Sequence, residues 1–534
     1  MTNVPNRSSA DEELVPDSVI PHQTLPPLRY RDMPEPISWT KMVGPSIMLA
    51  GLSLGSGEFI IWPHIVYKAG FIFFWACMLG VLTQYFLNME IERWTLVTGE
   101  SAITGFCRLS GHWAWVMLLL NILPWAWPGW ATGAGTILSW LLFGPTEVIQ
   151  QAADGAETVA YEARYVSALG IAGLLLVGVV LTAGPVVYNT VEKIQTFLVG
   201  LILVIVVGIS ILVIRPDAVG AMVEGTLSLG SFPDLDTTSL TWMGLLGALA
   251  FAGAGGTTNL GQSNFIKDKG YGMGAYIGRI TSPITGQQEA TADIGYHFKY
   301  TPENMQRWRG WWRAANIEHF FSFYLTCVAC LCLMSLIAYS LFYNSSGELK
   351  PGMEQFGGGL GFVWGQATVL GEQSFGGLLK VGFLIMGVAI LLTTELGVLD
   401  AVSRISTDIV KVNYLQNSEY WTQSRLYFVF LWGEIALGTL ILLFVPNAES
   451  PLFLLKTSAA MNGGVMMIYS ILLLYMNNTI LSRSLAMRPL RFVALIWACA
   501  FFGYFSLQAL GIQVIPWIKE LGIQVILWIE DMFG

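Results

Sequence analysis

A glycine-rich interruption in an apolar segment carries the first side chain able to do chemistry. The run Leu54-Gly55-Ser56-Gly57-Glu58 places a carboxylate directly after two glycines, inside a stretch long enough to cross a bilayer. A charged side chain near the bilayer centre costs about 2.5–3.5 kcal/mol, so it is usually retained to face a cavity or an ion. Glu58 is therefore a candidate ion ligand. The alternative is that neighbouring backbone groups cap it or that it lies near an interface.

A second interruption follows later in the chain. One aromatic residue is followed by a run of small residues in Phe251-Ala252-Gly253-Ala254-Gly255-Gly256. Three residues with side-chain oxygens come next, Thr257, Thr258 and Asn259. The three oxygens and the backbone carbonyls near Gly55 and Phe251 are candidate ligands for a hard cation. The cavity between the two interruptions is expected to be lined by Ser56, Gly57, Gly253, Gly255, Gly256 and Asn462. The alternative is that the small residues serve only tight helix packing.

The composition places these stretches in a membrane. Of the 534 residues, 54% are hydrophobic and 12% are charged, whereas a soluble domain has about 25% charged residues. The net charge of −9 argues against a nucleic-acid partner. No P-loop, nucleophile elbow, HExxH or dinucleotide fingerprint occurs, so the sequence gives no support for an enzyme. The expected partners are the lipid bilayer and a small cation.

The apolar segments predict an all-α integral membrane protein with about 11 spans. They are expected near 43–68, 71–97, 113–143, 166–183, 191–214, 240–263, 317–343, 363–400, 424–445, 451–476 and 490–511. Glycine-broken helices in the first and sixth positions are typical of a LeuT-like 5+5 inverted repeat, in which substrate binds where the breaks meet.

The polar ends of the chain are expected to lie outside the transporter domain. Residues 1–40 are polar and proline-rich, which predicts a disordered cytoplasmic tail. Residues 41–512 form the transmembrane domain, and the eleven-residue repeat in 513–534 predicts an amphipathic interfacial helix. With the N-terminus in the cytoplasm, the loops on that side hold about 20 of the 27 lysines and arginines, so the C-terminus is expected outside the cell membrane.

The first two spans resemble those of the Nramp family of divalent-metal transporters. The family's spacings are matched by Gly44-Pro45, Gly57, Phe59, Gly70, Trp75 and Thr98-Gly99, and in the sixth span by Leu245-Leu246-Gly247-Ala248. The family's metal-site motifs are not kept. Gly55, Ser56 and Glu58 stand at the Asp, Pro and Asn positions of its DPGN motif, and Phe251, Ala252 and Gly253 stand at its Met-Pro-His motif.

The resemblance implies a secondary transporter that moves a divalent cation together with a proton and holds no tightly bound cofactor. Because the family's soft thioether is replaced by Phe251, a hard cation such as magnesium is expected as cargo, with manganese as the family's type of metal. His64, six residues beyond Glu58, is a candidate for proton coupling, unless it is only an interfacial residue.

Three residues of the eighth span are further coupling candidates. By analogy with LeuT, Thr393 and Thr394 stand where a sodium ion binds, and Glu395 could relay protons. The rival interpretation is a sodium- or proton-coupled symporter of a small organic solute, in which the glycines of both breaks form anion-binding nests.

Overall fold

Long helices make up most of the regular structure. The computed structural model describes residues 13–37, 44–151, 157–282, 294–445 and 450–516. Eight helical segments in this part of the chain are long and apolar enough to cross a membrane. They are Pro45–Ala69, Val166–Ala183, Val187–Val213, Pro302–Phe342, Gly376–Asn413, Gln423–Phe444, Pro451–Thr479 and Pro489–Ile512.

Three further segments complete the bundle in the described part of the chain. Phe74–Thr98 is a continuous helix, while the other two are interrupted and consist of Trp113–Trp125 with Gly129–Phe143, and Trp242–Ala250 with Gly256–Lys269. Numbered in chain order, the eleven segments are span 1 to span 11. The prediction of a polytopic all-α membrane protein is confirmed.

Shorter elements connect the spans. The helices among them are Ala102–Leu109, Pro216–Leu227, Leu235–Thr238, Gly272–Tyr276, Met353–Gly357 and Gly361–Gly371. An antiparallel hairpin pairs Thr146–Gln151 with Glu157–Glu162, and the two-residue strand Arg29–Tyr30 runs parallel to Tyr296–His297. These strands lie outside the spans, so they leave the helical fold class unchanged.

A contact made within spans 1–5 recurs at the equivalent position within spans 6–10. The first half of span 1 packs on spans 5 and 8, and the first half of span 6 packs on span 10. Span 3 packs on span 8 through its second half. Because five spans carry the chain across a membrane an odd number of times, the second set of five runs opposite to the first.

Span 8 differs from its predicted bounds of 363–400. Residues Gly361–Gly371 form a separate helix, and Phe375 adopts a left-handed conformation with φ +62° before span 8 begins. At the other end the helix continues to Asn413, because its charged side chains are paired inside the protein. Arg404 Nε donates to Asp400 at 2.8 Å, and its Nη1 donates to Asp268 of span 6.

The N-terminal segment, residues 13–37, is packed against the bundle and is not a disordered tail over this range. Its buried apolar side chains are Val15, Ile20, Leu25, Leu28 and Met33. Arg108 donates to the carbonyl oxygens of Pro21 and Pro26 at 3.0 and 3.1 Å, and Trp311 Nε1 donates to Pro34 at 2.9 Å. The side of the bundle that this segment covers is called the N-terminal face.

Residues 1–12 and 38–40 of the predicted tail lie outside the described residues, as does 517–534 of the predicted interfacial helix. Span 11 continues as a helix through residue 516. The division at residue 513 therefore stays a prediction.

Arg404 provides a test of the buried charges. Its side chain is wholly buried between Asp400 and Asp268, so Arg404→Ala leaves two buried carboxylates unpaired, at a cost of about 3–5 kcal/mol. We expect a marked fall in apparent melting temperature in detergent. Lys299→Ala, which removes an exposed pair with Glu13, serves as control because such pairs contribute about 0–1 kcal/mol. Equal melting temperatures for the two variants would contradict this account.

Candidate functional site

The first break is a short interruption in span 1. Helix Pro45–Ser53 ends at Leu54, whose ψ of 74° departs from helical geometry, and the chain resumes as a π-helical turn over Gly57–Ile61 before Trp62–Ala69. Gly55 lies against span 8, where an added Cβ would be 2.2 Å from the Thr394 hydroxyl oxygen. The break is thus held in place by Thr394.

The second break covers Phe251–Gly255 in span 6. Gly255 and Gly256 have φ of +72° and +52°, a region that residues with a Cβ rarely occupy. A Cβ on Gly256 would lie 1.7 Å from Asn462 Oδ1 of span 10. The glycines therefore allow both the backbone turn and the close approach of span 10.

The two breaks are in direct contact. A Cβ on Gly57 would lie only 1.7 Å from the carbonyl oxygen of Phe251. No side chain larger than hydrogen fits between these backbones without moving one of them. The structure thus brings together the two interrupted stretches singled out in the sequence.

A small cavity lies at this contact. Its lining includes three aromatic side chains. The rings of Trp125 and Phe251 stack with centroids 5.7 Å apart, and Trp130 lies 5.3 Å from Trp125 and 5.8 Å from Phe251. The other lining residues are Leu52, Ser53, Ser56, Gly57, Gly253, Ala254 and Thr394.

Trp125 and Trp130 were not predicted as site residues. Trp125 Nε1 donates to Thr257 Oγ1 at 2.9 Å, and Trp130 Nε1 donates to Ser56 Oγ at 3.1 Å. Their helix is broken near Pro124 and Pro128, which turns both indoles toward the cavity. The sequence signal was this pair of prolines between tryptophans, since prolines so close interrupt a helix.

Glu58 is buried at the first break but is absent from the residues that line the cavity. Its Oε2 accepts the Gly55 N–H at 3.1 Å, so the carboxylate caps the start of the second half-helix. Its other oxygen has no hydrogen-bond partner in the described part of the chain. The carboxylate is within electrostatic range of Cys327 and Cys330 of span 7.

The polar residues of span 6 are engaged in hydrogen bonds. Thr258 Oγ1 donates to the Gly255 carbonyl at 2.5 Å, and Asn259 Nδ2 donates to Gln84 and to Tyr469 at 3.2 and 2.9 Å. The oxygens Asn259 Oδ1 and Asn462 Oδ1 remain without partners among the described residues. These two amide oxygens are the acceptors left available near the second break.

The predicted coupling residues are all buried but lie in different places. Thr394 touches the first break, and Thr393 Oγ1 bonds the Ala389 carbonyl at 2.6 Å. Glu395 has an unpartnered Oε2 within the described chain. His64 packs edge-on against Phe362 at 5.2 Å, which places it against the helix Gly361–Gly371.

The site contains few strong metal ligands. The described residues hold no group of three or more His, Cys, Asp or Glu side chains arranged to hold a metal ion. An aspartate at position 55 would require Thr394 to shift, because the Thr394 side chain fills the space beside Gly55. An ion here would be bound mainly by carbonyl, amide and hydroxyl oxygens.

Comparison with solved structures identifies the architecture. Two mutant structures of the manganese transporter of Eremococcus coleocola superpose with TM-scores of 0.62 at 12% identity, each over 97% of both chains. This chain has a LeuT-like, Nramp-type fold. A third mutant structure of that transporter matches 94% of this chain and 95% of its own, at 13% identity. No family model and no curated protein matches the sequence.

The contact between the breaks of this Nramp-type fold can be tested with one methyl group. Gly57→Ala places a Cβ against the Phe251 carbonyl, so we expect overpacking by about 1–3 kcal/mol and a lower melting temperature. Gly200→Ala in span 5 is the control, because its Cβ meets nothing within 4 Å and alanine favours a helix. If Gly57→Ala melts no lower than Gly200→Ala, the breaks are not in contact.

Proposed function

We propose that this protein is a secondary active transporter that moves a divalent cation across a membrane, as an Nramp-related protein. The observation that carries the proposal is the contact of the two broken helices, Gly57 against Phe251, within a fold shared with a manganese transporter over 97% of both chains. Broken helices that meet in this way expose backbone groups to a substrate at the centre of the bundle.

A hard cation such as magnesium suits the site better than a soft transition metal. Phe251 supplies a ring where a thioether would stand, and the available donors are the oxygens of Asn259, Asn462 and Ser56, with the carbonyls of the breaks. Oxygen donors of this kind suit magnesium, calcium and manganese. Glu58, turning from its cap on Gly55, would supply the negative charge.

We propose that transport is coupled to protons. We also propose that the protein lies in the cell membrane with its N-terminal face toward the cytoplasm. Glu58 is buried and has one unpartnered oxygen among the described residues, so it is suited to exchange a proton for the cation. His64 lies in the same half of span 1 and would modulate this exchange.

One observation favours a second candidate, a symporter of a small organic solute. Three aromatic rings line the cavity, Trp125, Trp130 and Phe251. Aromatic faces attract organic ammonium groups, which need no dedicated set of oxygen ligands. Sodium, bound near Thr393 and Thr394, would then be the coupling ion.

The two candidates make different predictions for ligand-induced stabilisation. A ligand at 100 times its Kd stabilises the folded state by about 2.7 kcal/mol. We expect magnesium or manganese ions to raise the melting temperature of the purified protein, and amino acids or quaternary ammonium compounds to leave it unchanged. Stabilisation by the organic compounds alone would overturn the cation proposal and support the organic symporter.

Glu58→Gln tests the cation site itself. The change removes the charge while an amide oxygen can still accept the Gly55 N–H, so folding and melting temperature should be nearly unchanged. We expect at least a tenfold loss of magnesium affinity, measured by calorimetry. Glu224→Gln, in the connection between spans 5 and 6, is the control. Unchanged affinity in Glu58→Gln would remove Glu58 from the site.

A further inference from the structure

A second group of buried polar side chains lies between spans 1, 2, 6 and 7, apart from the two breaks. Its centre is Ser46, at the start of span 1. The Ser46 N–H donates to Glu318 Oε1 at 3.2 Å, and the Ser46 hydroxyl donates to Glu318 Oε2. Gln262 Nε2 and His319 Nδ1 lie 3.3 and 2.9 Å from the same hydroxyl oxygen. All four side chains are at most 5% exposed.

The direction of these hydrogen bonds determines which atoms remain as acceptors. Ser46 has one hydroxyl proton and gives it to Glu318, so its oxygen accepts from His319. With Glu318 ionised, the proton of the neutral imidazole is therefore on Nδ1, and Nε2 carries a lone pair. Gln262 likewise turns its NH₂ to Ser46 and keeps Oε1 free. Neither His319 Nε2 nor Gln262 Oε1 has a partner within the described residues.

A second carboxylate, Glu92 of span 2, faces this group. It is completely buried, and neither of its oxygens has a hydrogen-bond partner in the described ranges. Glu92 interacts electrostatically with Glu318. On the same helix Tyr85 stacks on His319 at 5.6 Å, which orients this side of span 2 toward span 7. A buried carboxylate without partners is costly in its charged form.

The positive charges nearby are engaged with other groups. Arg491 of span 11 lies within electrostatic range of Glu92, but it donates to Glu90 and Asn316. Lys269 of span 6 interacts electrostatically with Glu318, but its ion pair is with Glu192 of span 5, at 2.6 Å.

The remaining titratable groups around the two carboxylates are phenols. Tyr188 of span 5 interacts electrostatically with Glu318, and Tyr271, after span 6, interacts with both carboxylates. Among the described residues no cation forms an ion pair with Glu92 or Glu318, and like charges in such a site favour retention of one proton.

We propose that Glu92 is a proton-binding site and that the negative charge of Glu318 favours the protonated form of Glu92. Glu92 takes up and releases this proton at the N-terminal face during transport. The inference rests on the proposed function and adds to it a coupling group outside the cation site. A proton fits better than a metal ion because both oxygens of Glu318 are used by Ser46. A bound metal needs several converging oxygens.

Span 2 connects this group with the second break. Gln84 accepts the N–H of Gly255 at 3.2 Å and donates to the carbonyl of Ala250 at 2.8 Å, so it binds the backbone on both sides of the break. Asn88 and Glu92 follow at intervals of four residues and so lie on the same side of the helix. Asn88 has both amide atoms unpartnered in the described part of the chain. A polar stripe thus leads from the break to Glu92.

The proton can be detected without any substrate. Infrared difference spectra of the full chain, recorded between low and high pH, should show the carbonyl stretch of a protonated carboxylic acid, and Glu92→Gln should remove that band. Glu434→Gln, which removes a partly buried acid of span 9, should leave the Glu92 band in place. Glu92→Asp keeps an acid and should shift the band, which preserves the test if the glutamine variant is unstable. A band unchanged by Glu92→Gln would overturn the proposal.

The coupling of proton flux to cation uptake is measured with proteoliposomes that contain a pH-sensitive dye. The wild-type protein should acidify the interior as magnesium or manganese enters, whereas Glu92→Gln should admit the cation with at least a tenfold smaller proton flux. An equal ratio of protons to cations in the two proteins would overturn the coupling role. Absence of cation uptake by the wild-type protein would instead refute the proposed function, while the infrared result still decides whether Glu92 binds a proton.

Discussion

The close approach of Gly57 to the carbonyl of Phe251 is the constraint on which the centre of the molecule depends. It brings two interrupted helices into backbone contact, so each break must be supported from its other side. Thr394 supports the first break against Gly55, and Asn462 approaches the second at Gly256. The supporting spans, 8 and 10, are therefore as much part of the site as the breaks themselves.

The sequence allowed the breaks and the number of spans to be predicted because both depend on local signals. Apolar length defines a span, and glycine runs interrupt one. The lining by Trp125 and Trp130 was not predictable in this way, since it depends on how span 3 packs against the breaks. The orientation of Glu58 was likewise open: its cap on Gly55 is local, but its position within electrostatic range of Cys327 depends on span 7.

Polar sequence was the least reliable guide to structure. Span 8 was predicted to end at the charged residue Asp400. The helix continues beyond it because Arg404 forms ion pairs with Asp400 and with Asp268 from span 6. The N-terminal segment resembled a disordered tail because it is polar and proline-rich. Five of its apolar residues nevertheless occupy buried positions, as Leu28 and Met33 do. In both cases a distant part of the chain supplies the partner that makes the polar stretch ordered.

On the proposed function, the N-terminal segment joins parts of the bundle that a transport cycle would have to separate. It bonds Arg108 after span 2, pairs as a strand with Tyr296–His297 before span 7, and receives a hydrogen bond from Trp311 within span 7. Such a tie favours the conformer seen here over any conformer in which this side opens, by the free energy of the hydrogen bonds and packing that opening would break. Its length and sequence would then set the fraction of time spent open to that side, and with it turnover, without touching the groups that recognise the cargo.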